Sequence, residues 1–232
     1  MDNNTLQIKV RERLNKLASQ DYDNIECWHI AEAFNKAQLE WVRRQIHIGA
    51  GHNVSDESSK MQIDDIQPLI TPFTMTITAM DSYYETGLLP ANYLYFKRIS
   101  VRSLSNCCPP RRMVVYQAAV ADVDNLLEDV HKSPSVEWAE TFFTLQSNRL
   151  RIYTNNKFAI EAPILYYYRK PRYVSFDGCA SLEDGTPSPN VTCEFKDDVT
   201  ELIIDSTVAI IAGDLELFNQ YQRNKGNAQE ND

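Results

Sequence analysis

A chain of 232 residues suits one domain of good size or two small ones, and buries about 70% of its unfolded surface without needing a disulfide framework. Its 23 basic and 32 acidic residues leave a formal net charge of −9, which repels a polyanion at long range and confines any nucleic-acid contact to a local patch. Cys27, Cys107, Cys108, Cys179 and Cys193 form an odd set without CxxC spacing, the stretch MDNNTLQIKVRERL has no apolar signal-peptide core, and no apolar run approaches the ~18 residues of a membrane span; the expectation is a reducing, cytoplasmic setting without membrane contact.

From the N-terminus, Thr5 is the candidate cap of a first helix in which Leu6, Val10, Leu14, Leu17 and Ala18 recur at steps of three and four. After SQDYDN a second helix, IECWHIAEAFNKAQLEWVRRQIH, sets Cys27, Ile30, Ala31, Phe34, Ala37 and Trp41 on one stripe. Glu32, Lys36, Glu40 and Arg44 alternate in sign at i,i+4 spacing on a second, exposed stripe. Gly49 and Gly51 are the stop signals of this helix.

The polar stretch GAGHNVSDESSK follows, and from Thr71 the hydrophobic period shortens. FTMTITAM, YLYFKRISVRSL, RRMVVYQAAV, ETFFTL, RLRIYT and FAIEAPILYYYR are β-prone runs, the last three read as a meander. Gln146–Asn148 and Asn155–Lys157 have hairpin length, with asparagines that tolerate positive φ. DVDNLLEDVHKSPSVEW reads as a helical turn and loop.

ILYYYRKPRYVSF, Ile164 to Phe176, mixes tyrosines with Arg and Lys, the composition of a surface on which bases stack. As a strand it places Ile164, Tyr166 and Tyr168 on one face and Leu165, Tyr167 and Arg169 on the other, both half-apolar, so it needs cover on two sides from a second sheet or another subunit. Pro171 ends it. Tyr166, Tyr168 and Arg169 are the candidate subunit or sheet contacts. Asp177–Pro189 is a long polar loop with the composition of an arm. Asp198-x-x-Glu201 has capping-box spacing before VTELIIDSTVAIIAGDLELFNQY, where Ser206, Ala209 and Gly213 form a small-residue strip for close helix approach. The closing QRNKGNAQEND is polar enough to need a partner for order.

Gly49-Ala50-Gly51 follows a helix rather than a strand and lacks a third glycine, and there is no phosphate loop, nucleophile elbow or HExxH, so the expectation is no enzyme, cofactor or metal. Cys27 and His29, two apart on a helix, diverge, and the cysteines are expected as buried or bystander thiols. Asp122, Asp124, Glu128 and Asp129 lack the Gly and terminal Glu of an EF-hand loop and read as a solvated acidic face.

Three stretches together resemble the head-tail connector (adaptor, or ring) proteins of tailed bacteriophages, above all those of short-tailed and crAss-like phages. They are AFNKAQLEWVRRQ, LPANYLYFKRISV, and the pair LRIYTNNKFAIEAPILYYYRKPRYV with EFKDDVTELIIDSTVAIIAGDLEL. The resemblance implies an α+β fold in three parts: 1–70 helical, 71–176 an inserted antiparallel β meander or sandwich, and 177–232 the loop, C-terminal helix and tail. N- and C-terminal helices would then form a helical frame. It implies a structural virion protein of the neck or tail, assembled in the host cytoplasm into a dodecameric ring under the portal protein. Other neck and tail proteins are the further partners, with genome DNA passing through unbound. Leu217, Phe218 and Tyr221 would reach the portal. A neck stopper or tail-tube subunit is the nearest alternative, and a soluble glycan- or receptor-binding module the more distant one.

Overall fold

The computed structural model describes residues 1–15, 25–48, 64–104, 109–179 and 186–214. Leu17 and Ala18 of the first helix's stripe, the helix stop at Gly49 and Gly51, Cys107 and Cys108, the middle of the Asp177–Pro189 loop and the expected portal contacts Leu217, Phe218 and Tyr221 lie outside these. The protein is mixed α+β and divides into two compact units, Met1–Pro68 with Pro171–Asp232, and Leu69–Lys170.

The first unit is helical. Helix α1 (Asn3–Asn15) buries Leu6, Val10 and Leu14, a stripe at four-residue steps. Its cap is Asp2 rather than Thr5: Asp2 Oδ1 accepts the Thr5 N–H at 2.8 Å, and hydrogen bonds from the Thr5 side chain first and this N–H second hold the Asp2 carboxyl below its ordinary range. Helix α2 (Cys27–Ile48) buries Ile30, Phe34, Ala37 and Trp41 as its stripe demands. Helix α4 (Asp197–Asp214) packs on both, burying Val199, Ile203, Ile204, Thr207, Val208 and Ile211.

Two expectations for α4 are corrected. Asp198 lies inside the first turn, and Glu201 reaches across to Lys9 and Arg13 of α1 instead of back to a cap, because ionised partners outbid a backbone N–H. The small-residue strip is not a contact either: Ala209 is buried, but Ser206 is half-buried with its hydroxyl donating to Leu202 O at 3.2 Å, and Gly213 is exposed.

The second unit is a sheet. Among the described residues its strands are β1 (Ile70–Thr74), β2 (Ile77–Ala79), β3 (Tyr83–Thr86), β4 (Tyr93–Leu104), β5 (Arg111–Gln117), β6 (Glu140–Gln146), β7 (Arg149–Tyr153), β8 (Ala159–Ile160) and β9 (Ile164–Arg169). They run in the order β1-β9-β4-β5-β6-β7-β3-β2, with β8 beside β4. Met75, Ile99, Val101, Met113, Phe143, Leu150, Ile152, Phe158, Leu165 and Tyr167 make its core.

The sheet corrects the expected antiparallel meander. β6 and β7 do form a hairpin, on a turn in which Ser147 and Asn148 both take positive φ, 49° and 58°. The meander stops there, because β3 already occupies the far edge of β7, pairing Tyr83 with Tyr153 and Glu85 with Arg151. The chain turns at Asn155 and Asn156, φ 47° and 54°, and crosses to β4. One pair is parallel, β5 with β6, and the excursion joining them carries the short helix α3 (Val123–Glu128). β9 is interior in the strand order, between β1 and β4; one of its faces buries Leu165 and Tyr167, and on the other Tyr168 is buried while Ile164 and Tyr166 stay half-buried.

Candidate functional site

In the helical unit the sequence AFNKAQ acts as a clamp. Asn35 and Gln38, three apart on α2, share a face. Asn35 exchanges two hydrogen bonds with the backbone of Val174, at 2.7 and 2.8 Å, and Gln38 donates to Arg172 O at 3.0 Å. Beyond this the chain loops and returns: Ser175 and Val191 exchange backbone hydrogen bonds at the neck, and Asn3 donates its amide to both carbonyls. The base of the expected arm is therefore closed onto the helices.

Cys27 is bonded to Cys179 at this neck, so two of the five expected thiols form a disulfide, and the cysteine ground for a reducing compartment falls with them. No local pattern reveals the pair, because 152 positions separate its members. Cys193 is free and half-buried. Burial pushes its thiol up; the thiol donates to the Gln38 side-chain oxygen at 3.7 Å and accepts from the Thr200 hydroxyl at 3.6 Å.

In the sheet unit the tyrosines of Ile164–Phe176 are dispersed. Tyr167 enters the core with its hydroxyl donating to Asn92 Oδ1 at 2.8 Å, and Tyr168 is buried. Tyr166 is half-buried beneath the Arg98 guanidinium, 4.5 Å from the ring centroid, and the Lys97 ammonium lies 5.4 Å from the Tyr168 ring. Arg169 donates to Lys170 O at 3.2 Å. Tyr173 belongs to the other unit. The stretch therefore presents no continuous platform to bases: Tyr167 is in the core, Tyr166 and Tyr168 each lie near a cation of their own chain, and Tyr173 stands apart.

What gathers on this sheet face is arginine. Register pairs Arg98 with Tyr166 and Arg102 with Arg112, and alternation along β5 brings Val114 and Tyr116 to the same side. Arg98 and Arg112 are exposed, as is Val114 at 62%. Among the described residues, the carboxylate paired with this group is Glu161, 3.9 Å from Arg102. Sequence reasoning passed over these residues although the signal was present: Tyr93–Gln117 contains five basic residues and no acidic one.

Beside Tyr116 the β5–β6 excursion leaves a cleft of about 380 Å³ lined by Tyr116, Ala119, Asp122, Asn125, Asp129 and Lys132. Tyr116 donates its hydroxyl to Lys132 O at 3.3 Å. Burial pushes Tyr116 above its ordinary range, and the charges of Glu140 and Asp129 add to this. Asp122, Asp124, Glu128 and Asp129 all lie on this excursion. Among the described residues no group of three or more His, Cys, Asp or Glu is placed to hold a metal, and no helix is long and apolar enough to cross a membrane. The chain matches no family model and no curated protein.

Proposed function

We propose that the protein is a structural component of a tailed-phage virion, a ring-forming head-to-tail adaptor that joins the portal to the tail and continues the DNA channel without turnover. The observation that carries this reading is the course of the chain: a helical unit built from both ends, Met1–Pro68 and Pro171–Asp232, interrupted by a sheet unit, Leu69–Lys170. This agrees with the frame-plus-insertion arrangement that the three connector-like stretches imply. The AFNKAQ and KPRYV segments of that resemblance meet directly, through Asn35, Gln38, Arg172 and Val174. Burial of Tyr167 and Tyr168 and the Arg98 guanidinium over Tyr166 speak against a glycan platform, and a net charge of −9 suits a conduit along which DNA slides without sticking. On this reading the Cys27–Cys179 bond closes once the particle has left the reducing cytoplasm.

The experiment is to mix the purified chain with portal rings of the same virion and image the product by cryo-electron microscopy. A closed ring of this chain directly beneath the portal is expected. Density elsewhere in the neck or along the tube makes it a stopper or tube subunit, and a stable tetramer or smaller closed species that ignores the portal removes the adaptor reading.

A further inference from the structure

Among the described residues the arginine face meets one carboxylate of its own chain, Glu161 at 3.9 Å from Arg102, and none from the acidic excursion. Arg102 and Arg112 stand directly opposite each other across β4 and β5, a like-charge pair that is destabilising in an isolated sheet. Val114 lies exposed beside them. The excursion that follows, Val120–Glu140, carries six carboxylates against one lysine, and it exposes Val120, Val130 and Trp138 at 53%, 83% and 70%. Among the described residues none of those six carboxylates pairs with an arginine of β4 or β5.

We infer that copies of the chain dock on one another through these two surfaces, the Val120–Glu140 excursion of one copy seating on the Arg98, Arg102 and Arg112 face of the next. Charge complementarity selects the occupant. A nucleic acid would also answer the arginines, but the net charge of −9 opposes its approach, and it leaves the acidic cleft unanswered. A second copy answers both, because each copy carries one surface of each sign. Arginine and tryptophan at the centre of the contact are the residue types that dominate binding at interfaces. Carboxylates set against Arg102 and Arg112 remove their mutual repulsion, and Val114 with Trp138 supplies the dry part of the contact. Because a pair joined in this way retains one unused surface of each sign, the basic face of one copy and the acidic excursion of the other, the contact propagates head to tail and closes when its rotation permits. The inference supplies the subunit contact of the adaptor ring and rests on that reading for closure alone.

The test is sedimentation velocity on the wild-type chain and two charge-reversed variants, Arg102→Glu/Arg112→Glu and Asp122→Lys/Asp129→Lys. Wild-type association is expected to weaken at least about tenfold between ~50 and ~500 mM salt, as surface charges become screened. Each variant alone is expected to stay monomeric, and an equimolar mixture of the two to associate again, which also certifies that both are folded. Failure of the mixture to associate, salt-insensitive association, or no wild-type association at low salt overturns the contact, whatever the portal experiment gives. Labelled duplex DNA bound by the wild type and lost in Arg102→Glu/Arg112→Glu, without self-association, also overturns it in favour of a nucleic-acid surface. Restoration of a closed two-fold pair keeps the contact and removes the ring.

Discussion

Breaking the Cys27–Cys179 bond, by Cys27→Ser or by reduction, should destabilise the helical unit and spare the sheet. The bond spans 152 positions. In the chain-entropy account a loop of that length constrains the unfolded state by about 5 kcal/mol. The fold shortens the effective loop. Ile70 lies opposite Tyr168 across β1 and β9, so the sheet unit begins and ends at neighbouring points. While it stays folded it acts as a clip, and the loop that must close comprises Cys27–Pro68 and Pro171–Cys179, about 50 residues. The same relation then gives about 4 kcal/mol. Trp28 and Trp41 belong to the helical unit and Trp138 to the sheet, so in a Trp138→Phe background fluorescence follows the helices alone. With a urea slope of about 2 kcal/mol per M, the midpoint should fall by about 2 M. A shift below ~0.5 M, or a proteolytic digest that yields no cross-linked Cys27–Cys179 peptide, refutes the reasoning.

Ser147→Asn should raise the thermal stability of the sheet unit by about 0.5–1 kcal/mol, because position 147 holds φ 49° and asparagine tolerates that region better; a loss on melting would contradict the turn. Asn3→Ala leaves the Ser175 and Val191 carbonyls without its donor and should cost about 1–3 kcal/mol in urea unfolding. The two acids facing Arg13 should respond to pH with opposite sign. Burial pushes Glu201 up, but the Lys9 hydrogen bond and the Arg13 charge outweigh it, so its carboxyl lies below the ordinary range and its stabilisation is lost as pH falls through that lowered value. Asp205 is pushed up by burial, which Arg13 only partly offsets, so its contribution is greatest when protonated and is lost as pH rises through the raised value. At neutral pH Glu201→Gln should therefore cost about 1 kcal/mol and Asp205→Asn less than half of that, measured by urea unfolding; equal losses would reject the assignment. Fluorescence anisotropy at ~150 mM salt should show no micromolar binding of single-stranded DNA. A site using Arg98, Arg102 and Arg112 would instead show a log–log salt slope of about −2.

What local chemistry encodes was legible before any folding. The four-residue steps of Leu6, Val10 and Leu14, the stripe of α2, the alternation of ILYYYR and the asparagines at 148, 155 and 156 each express a helix period, a strand period or a positive φ, and each depends on neighbours a few positions away. The half-apolar character of both faces of β9 matches the burial of Leu165 and Tyr167 on one face and Tyr168 on the other, with Ile164 and Tyr166 of that second face only half-buried. Its neighbours were not announced. A strand's hydrogen-bonding edges carry no address, so only the closed sheet decides that β3 takes the edge of β7 and sends β8 and β9 to β4. The same holds for Cys27 with Cys179, Asn3 with Ser175 and Val191, Arg13 with Glu201, and the opposition of Arg102 and Arg112. These pairings join residues whose individual patterns are satisfied equally well by many partners, and the choice among them is made by packing the whole chain at once.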